Sequence, residues 1–354
     1  MSRVLVVGGG PVGLATALHA ARAGADVTVW ERRAGVLDKA CGEGLMPAAV
    51  AALDELGVTV PGVRLEGIDY LDGTRRARAR FPAGGGLGVR RTALHDALRA
   101  AAAAAGIRTE HRRLTRLTQE PEGVVADGEH FDWLVGADGL HSTARRLCGL
   151  DGARPGLRRY GLRGHVRVQP WSPFVEVHWG SGAEVYVTPV AADLVGVTVL
   201  TSRRASFAEQ LDGFPALRRL ADRSAGAVLG AGPLWQRSRR RVRGRVLLVG
   251  DAAGYVDALT GEGIALGLAQ ARAAVAAIGA GDPERYEAEW RSLTATHRRL
   301  TGALVTATRT GLARRLVVPT AARLPALFGT VVAGLAAPAP VPASVPVPVG
   351  VEAR

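Results

Sequence analysis

The sequence predicts an α/β protein: a Rossmann-like dinucleotide-binding domain, an inserted antiparallel sheet and a set of C-terminal helices. Three observations predict this class. A buried strand, a glycine turn and a helix follow one another from residue 3 onward. Between residues 158 and 201, valines alternate with other residues over several short runs, which is typical of antiparallel strands. From residue 283 the chain returns to helical patterns.

The first of these stretches is RVLVVGGGPVGLATALHAARAGADVTVWE. Gly8, Gly10 and Gly13 form G-x-G-x-x-G between a strand and a helix, and a second strand ends at Glu31. The glycines permit a tight turn, close approach of a pyrophosphate and close packing of helix on strand. The helix start offers free N–H groups to phosphates. Glu31 follows at about the usual ~20 residues and can accept the ribose hydroxyls, so FAD or NAD is favoured over NADP.

Composition excludes several classes of function. The 354 residues are 47% hydrophobic, which indicates a globular chain of about two domains. The net charge of +13 comes almost entirely from arginine, but only 5% of residues are aromatic and no nucleic-acid fingerprint occurs, so we predict no nucleic-acid partner. Cys41 and Cys148 are the only cysteines, and a strand at residue 3 leaves no room for a signal peptide. We therefore expect a cytoplasmic protein, and no Cys/His spacing indicates a metal.

Two further motifs follow buried strands. The stretch LVGADGLHSTARR, residues 134–146, places Asp138 beside Gly139 at the end of a strand, where it can hold a nucleotide or simply form a turn. The stretch RVLLVGDAAGYVDALTGEGIALGLAQA, residues 245–271, places Asp251 where it can bind a polyol chain. Gly261 and Gly263 then open a helix whose N-terminus can stabilise negative charge.

In this order and at these separations, the three motifs resemble those of the group A FAD-dependent monooxygenase superfamily, the p-hydroxybenzoate hydroxylase fold, over about residues 1–275. The resemblance implies that Glu31 binds the adenosine ribose, Asp251 the ribityl chain and Gly263 the flavin edge. It also matches Arg91 to an arginine that packs by the cofactor, although Arg90 is adjacent. The cofactor-binding positions predicted in this way are Gly8, Gly10, Gly13, Glu31, Arg32, Arg91, Asp138, Asp251, Gly261 and Gly263.

Departures from the hydroxylase pattern narrow the branch. GDAAGYVDALTGEG and DKACGEGLMP are similar to the geranylgeranyl reductase and halogenase branch of bacterial specialised metabolism, and in the second motif Cys41 either touches the flavin or has no role. The tryptophan of that branch is missing before Pro189, which weakens both halogenation and prenyl reduction. The sole lysine, Lys39, lies in the flavin loop, not where a halogenase needs one.

The resemblance implies an FAD-dependent monooxygenase that hydroxylates or epoxidises a hydrophobic aromatic or olefin through a flavin C4a-hydroperoxide. NAD(P)H would bind transiently as reductant, since no second dinucleotide fingerprint occurs, and O2 and a small molecule would be the other partners. The alternatives are a reductase of prenyl C=C bonds, a halogenase or a non-catalytic flavoprotein. No side-chain nucleophile is expected; the candidate pocket residues are Cys41, His178 and Tyr186.

The chain divides into a discontinuous FAD domain, a substrate domain, C-terminal helices and a tail. The predicted boundaries are 1–70, 90–157 and 238–282 for the first, 71–89 and 158–237 for the second, 283–336 for the third, and 337–354 for a disordered Pro/Ala/Val-rich tail. The C-terminal helices are expected to pack on the Rossmann-like domain, with weak membrane contact as the alternative. The arginine run at 237–245 is expected to be a solvated edge, with docking of NADPH phosphates as the alternative.

Overall fold

The computed structural model describes residues 1–82, 85–153 and 158–337, and most of its strands belong to two large sheets. The predicted disordered tail lies, apart from Ala337, outside the described residues. The strands are β1 Arg3–Val7, β2 Asp26–Glu31, β3 Gly44–Leu45, β4 Val63–Leu65, β5 Gly67–Leu71, β6 Arg76–Arg80, β7 Gly86–Gly88, β8 Arg108–His111, β9 Leu117–Glu120, β10 Gly123–Ala126, β11 Glu129–Phe131, β12 Trp133–Gly136, β13 Tyr160–Arg167, β14 Phe174–Trp179, β15 Ala183–Ala191, β16 Leu194–Thr201, β17 Ser224–Ala231, β18 Val242–Arg243 and β19 Val246–Leu248. The helices are α1 Pro11–Arg22, α2 Pro47–Glu55, α3 Arg91–Ala104, α4 Thr143–Leu147, α5 Phe207–Leu211, α6 Gly263–Gly279, α7 Pro283–Ala307, α8 Gly311–Arg323 and α9 Pro325–Ala336.

The first sheet has the strand order β18-β19-β12-β1-β2-β8 and is parallel except for β18. Its central strands are runs of Val and Leu that are buried on both faces, as a parallel sheet covered by helices requires. Leu5, Leu134 and Leu247 lie in one core with residues of the covering helices α1, α3 and α6. The α/β class predicted from the sequence is confirmed.

The second sheet has the order β17-β13-β16-β15-β14-β5-β6. All its pairings are antiparallel except that of β14 with β5. The alternating valines between residues 158 and 201 form β13 to β16, the four antiparallel strands that their pattern predicts. Strand β5 begins at Gly67, so the sheet joins strands from two distant segments of the chain.

The sequence between residues 206 and 227 predicts a helix, and this prediction is wrong in its second half. Only α5 is an α-helix, capped by Ser206 and Glu209; a short 3-10 helix follows, and then β17 pairs with β13. Strand β17 reads SAGAVLGA, a run of small residues with no strong strand signal. The conformation of β17 is therefore determined by its pairing with the free edge of β13, and the local sequence does not indicate it.

The C-terminal helices divide between the two layers. Helix α7 packs on α6, and its Tyr286 hydroxyl donates a hydrogen bond to the Leu248 carbonyl oxygen at 2.9 Å. Helices α8 and α9 instead cover the second sheet, where Phe328 and Val332 join the core around Leu65. The expectation that the whole group packs on the Rossmann-like domain is therefore wrong for α8 and α9. Their apolar faces are complementary to β5 and β6.

A buried cluster of ions fastens α8 to the second sheet. Glu184 of β15 is fully buried between two arginines: Arg159 Nη2 lies 2.6 Å from Glu184 Oε2, and Arg314 of α8 contacts Glu184 Oε1. Arg159 Nε also lies 3.1 Å from Asp257 Oδ2. Two guanidinium groups thus share two carboxylates away from water. Removal of any one of these charges would leave another buried charge without its partner.

We expect Glu184→Gln to lower the free energy of unfolding by about 3–5 kcal/mol, because it leaves buried guanidinium groups without their shared counter-charge. Guanidinium chloride unfolding of the flavin-loaded protein measures this. Asp193→Asn, at an exposed position next to the same strand, is the control and should change the free energy little. Equal effects of the two substitutions would contradict the role given to the cluster.

Candidate functional site

The three sequence motifs meet at one edge of the first sheet. Strands β19, β12 and β1 are neighbours and parallel, so the turns that follow them lie side by side at the carboxyl end. This edge is where open α/β sheets bind their ligands. The turns carry Gly8 to Gly10, Asp138 and Asp251, and all of these except Gly9 line one cavity of about 500 Å³.

The glycines of the first motif have separate geometric reasons. A Cβ on Gly8, whose φ is +107°, would lie 2.5 Å from the Ala137 carbonyl oxygen, and one on Gly13 would lie 1.8 Å from the Gly8 carbonyl oxygen. A Cβ on Gly10 would meet no atom within 4 Å, so this residue presents open backbone to the cavity. Gly13 therefore acts by packing and does not line the cavity, whereas Gly8 and Gly10 do.

Glu31 lies at the end of β2, next to the first turn. Its Oε2 accepts a hydrogen bond from Gly9 N at 2.8 Å and its Oε1 one from Arg33 N at 3.0 Å. Arg32 also lines the cavity. The carboxylate is thus held at the edge where the sequence places the ribose of a dinucleotide.

Asp138 is held by the helix that follows it. Its Oδ2 accepts hydrogen bonds from Thr143 N at 2.6 Å and Ala144 N at 3.1 Å, while its buried Oδ1 has no partner among the described residues. Burial raises the pKa of this carboxyl group. Arg145 does not pair with it; its Nε lies 2.7 Å from Asp151 Oδ1. The Ser142 hydroxyl caps α4 by accepting a hydrogen bond from Arg145 N.

The third motif contributes Asp251, Tyr255 and the start of α6. Asp251 Oδ2 lies 2.9 Å from Lys39 Nζ across the cavity. Helix α6 begins at Gly263 with no side-chain cap, and Gly261 and Gly263 both line the cavity. The ring of Tyr255 lies close to Gly263, since a Cβ there would be 3.4 Å from it. The sequence did not single out Tyr255.

A buried pair of Glu262 and His297 holds the loop of the third motif against α7. Glu262 Oε2 lies 2.6 Å from His297 Nδ1 of α7, and Thr260 Oγ1 lies 3.2 Å from the same nitrogen. The backbone of residues 260–262 is therefore fixed by a helix outside the motif. No pattern in the sequence links His297 to the third motif.

Arg91 is the arginine that enters the cavity. It is buried, its Nη1 has no partner among the described residues, and burial lowers its pKa. Arg90 is exposed. The backbone N–H of Arg91 donates to Glu43 Oε1 at 2.8 Å. Glu43, at φ +57°, adopts a left-handed conformation that is costly for a side chain of its size, and its buried bonds to surrounding groups hold it there.

The loop before Glu43 carries Cys41 and is locked to the second sheet. Arg163 of β13 is buried and pairs with Asp38, while His165 Nε2 lies 2.8 Å from Glu43 Oε2. Cys41 lines the cavity, and burial raises the pKa of its thiol. Sequence reasoning found the loop but not its anchors, because Arg163 and His165 lie more than a hundred residues away.

The far end of the cavity is apolar. It is lined from the second sheet, α9 and the segments beside them by Met46, Leu65, Ile68, Tyr70, Phe81, Val175, Val177, Phe328, Val331, Val332 and Leu335. Tyr186 also lines the cavity and donates its hydroxyl to the Leu259 carbonyl oxygen at 2.7 Å. The expectation that His178 lines the pocket is wrong. Val175 and Val177 occupy the cavity face of β14, so His178 lies on the opposite face, 3.1 Å from Glu176 Oε2.

The polar end of the cavity fits FAD. The ends of α1 and α6 are uncapped, Gly10 is open, and the buried Arg91 Nη1 and Asp138 Oδ1 lack partners. Buried polar atoms without partners are rare in native proteins and indicate a ligand that completes them. A cation and uncapped N–H groups match a pyrophosphate, and Glu31 and Asp251 match polyol hydroxyls. Among the described residues, no cluster of His, Cys, Asp or Glu could hold a metal ion. Fold and site together define an FAD-binding flavoprotein.

Comparisons with known proteins agree with this class. A family described as "FAD binding domain" matches residues 1–210. A menaquinone reductase of Mycolicibacterium smegmatis is 32% identical over an alignment of 343 residues, and the match covers 83% of this chain and 80% of that protein. A dialkyldecalin synthase of Streptomyces rugosporus is 30% identical over 299 residues, and the match covers 76% of this chain and 63% of that protein. The structure of a flavin-dependent brominase has a TM-score of 0.78 at 16% identity, covering 95% of this chain and 94% of that one.

The chain belongs to the FAD-dependent monooxygenase superfamily, within the FAD-dependent oxidoreductases. This confirms the resemblance inferred from its three motifs. Members of the superfamily catalyse more than one kind of reaction, so membership alone does not define the reaction of this protein.

We expect Arg91→Leu to weaken FAD binding about 10- to 100-fold, because one charged hydrogen bond to the cofactor contributes roughly 1.5–3 kcal/mol. Quenching of flavin fluorescence on titration into the apoprotein measures the affinity. Arg90→Leu, at the exposed neighbouring position, is the control and should bind FAD normally. Weakening by Arg90→Leu instead would mean that the assignment is one residue out.

Asp257, in the loop between Gly250 and Gly263, should make stability depend on pH. Burial raises its pKa from 3.8 to about 6, so the native protein keeps a proton that the unfolded chain loses between these values. Its contribution to stability therefore falls as pH rises from about 4 to 6. Asp257→Asn, which is always neutral, should gain stability relative to wild type across this interval. Unfolding curves at several pH values test this, and a constant difference would contradict it.

Proposed function

We propose that this protein is an FAD-dependent reductase that saturates a C=C bond in a lipophilic, prenyl-type chain, with NAD(P)H as the electron source. The apolar end of the cavity is the observation that carries this proposal. The lining of this end is apolar except for Tyr70 and Tyr186, whereas the charged lining residues, such as Glu31, Arg91 and Asp251, belong to the cofactor motifs and the segments beside them. A long hydrocarbon chain would be stabilised there by burial alone. The menaquinone reductase relative is named as a reductase, which supports reduction as the type of reaction.

Bound FAD would supply hydride transfer from a nicotinamide to an acceptor, and reduction of a double bond would need one further proton. Several side chains of the cavity can hold that proton at neutral pH, among them Tyr255 and Cys41. Burial raises the pKa of the Tyr255 hydroxyl well above its usual value and also raises the pKa of the Cys41 thiol. Tyr255 is the proposed donor, because its hydroxyl lies at the start of α6 and makes no hydrogen bond to the described residues.

A second cavity supports NAD(P)H as the reductant. It has a volume of about 780 Å³, shares Asp251, Tyr255 and Gly263 with the first, and is lined by Arg237, Arg239, Arg241, Arg291, Arg298 and Arg299. Burial and the neighbouring Arg241 and Arg237 lower the pKa of Arg298, so an anion beside this residue would be favoured. A nucleotide that carries phosphates would supply such an anion.

Oxygenation of the same kind of substrate is the second candidate. It is favoured by the cofactor motifs of Glu31, Asp138 and Asp251, which are those of the monooxygenase superfamily. Both candidates use the same polar end of the cavity and differ only in what receives the electrons. The name of the dialkyldecalin synthase adds a third outcome, in which the substrate is cyclised without net redox change.

The mass of the product separates these outcomes. The flavin-loaded protein is incubated with NADPH or NADH and a menaquinone under ¹⁸O2, and the product is analysed by mass spectrometry. After the quinone ring has been reoxidised in air, we expect a retained gain of two hydrogens, which places them in the prenyl chain, and no ¹⁸O; loss of both hydrogens on reoxidation would mean that only the ring is reduced. Gain of one ¹⁸O would establish the monooxygenase in its place, and an isomer of unchanged mass would indicate cyclisation.

We expect Tyr255→Phe to lower the turnover number about 10²-fold or more with unchanged FAD content, because a positioned acid typically contributes 10²–10⁴. The rate is measured as double-bond reduction, with its pH profile and solvent isotope effect. Tyr160→Phe, a tyrosine of β13 that does not line the cavity, is the control. If Cys41→Ser and not Tyr255→Phe abolishes the isotope effect, the thiol is the donor.

A further inference from the structure

The exposed apolar residues of this protein are concentrated on α8 and α9. Nine large hydrophobic side chains are exposed among the described residues, and four of them are Leu312, Leu316, Leu324 and Leu327, at 49–74% exposure. We call the surface formed by these leucines, Arg315 and Arg323 the elbow. No single described helix is long and apolar enough to cross a bilayer; α8 and α9 reach that length only together and are bent by 102°. The elbow is therefore an outward corner of the fold.

The charged residues of the elbow, Arg315 and Arg323, are both positive. Arg315 lies on the same exposed face of α8 as Leu312 and Leu316, by the i, i+3, i+4 rule. Neither Arg315 nor Arg323 forms an ion pair with a described residue, in contrast to Arg314, which turns inward to Glu184. The sequence contains no Asp or Glu from residue 291 to 351. Leucine and arginine on one exposed face are the composition of helices that lie in an anionic membrane interface.

Helix α9 connects this surface to the cavity. Leu324, Phe328, Val331 and Leu335 follow one another at helical spacing and share one side of the chain segment. The first is exposed, and the other three line the apolar end of the cavity. One apolar stripe therefore leads from the elbow to the place where the proposed function puts the hydrocarbon chain.

We propose that the elbow docks on the anionic surface of a lipid bilayer and that α9 guides a lipophilic substrate from there into the cavity. The guiding role rests on the proposed function; the docking does not. A second copy of the chain is the less suitable occupant. A twofold contact through this surface would bring two positively charged elbows together, with no acidic side chain in either, whereas anionic headgroups would neutralise Arg315 and Arg323.

Vesicle co-sedimentation of the full-length, flavin-loaded protein tests the docking. We expect binding to vesicles of equal parts phosphatidylcholine and phosphatidylglycerol, weakened by salt, and little binding to phosphatidylcholine alone. The triple variant Leu316→Ser/Leu324→Ser/Leu327→Ser should bind at least about tenfold more weakly, because three leucines no longer enter the interface. Leu300→Ser, at a leucine of α7 that is 36% exposed, is the control. Binding to neither vesicle, or equal binding of variant and wild type, overturns the proposal.

Two readouts on the same samples separate the alternatives. Light scattering measures the mass of the protein in solution; a dimer that the triple variant alone dissociates would show that the elbow is covered by a second copy, which overturns the proposal. Oxidation of NAD(P)H with a water-soluble acceptor should be unchanged in the variant. Vesicle binding without reduction of menaquinone would contradict the proposed function and support the docking. Reduction of menaquinone without vesicle binding would support the proposed function and contradict the docking.

Discussion

The site depends on the close packing of the first two turns, in which the backbone of Gly8 lies against Ala137 and Asp138. A Cβ on Gly8 or Gly13 would meet backbone atoms at 1.8–2.8 Å, so the two turns can approach only as glycine allows. This approach holds β1 and β12 as parallel neighbours with their carboxyl ends level. Because β19 pairs with β12 in the same direction, the third turn is carried to the same edge. The polar end of the cavity is a consequence of that alignment.

Charges buried by the second sheet complete the site from the other side. Asp38 and Glu43 come from the loop that carries Cys41, and Arg163 and His165 come from β13. Each carboxylate is satisfied only when the loop lies on the sheet, and this dependence fixes Glu43 in a conformation that its own preferences oppose. The cofactor end of the cavity is thus closed by ion pairs between domains that are distant in sequence.

The sequence predicted what depends on local chemistry. Gly8, Gly10, Glu31, Arg91, Asp138 and Asp251 each follow from a short pattern, and the structure brings them to one cavity. Alternation likewise predicted β13 to β16. Alternation does not indicate which face of β14 meets the cavity, because both faces of that strand are buried. The expectation that His178 lies on the cavity face is wrong for this reason. The places of Tyr255, His297 and α9 around the cavity depend on tertiary packing. No short pattern in residues 245–336 indicates that packing.

The contrast between the two ends of the cavity explains why the motifs define the cofactor better than the reaction. The polar end holds the groups that match FAD, and binding of the cofactor by these groups does not decide whether electrons pass to carbon or to oxygen. The apolar end decides the substrate, and its walls come from β5, β14 and α9, which lie outside all three motifs. A chain that enters along α9 would fill this end and expel water from around Tyr255, leaving the hydroxyl as the nearest proton source. On the proposed function, the C-terminal helices take part in selecting the substrate, since Phe328, Val331 and Leu335 of α9 line the apolar end, whereas the three motifs hold the cofactor.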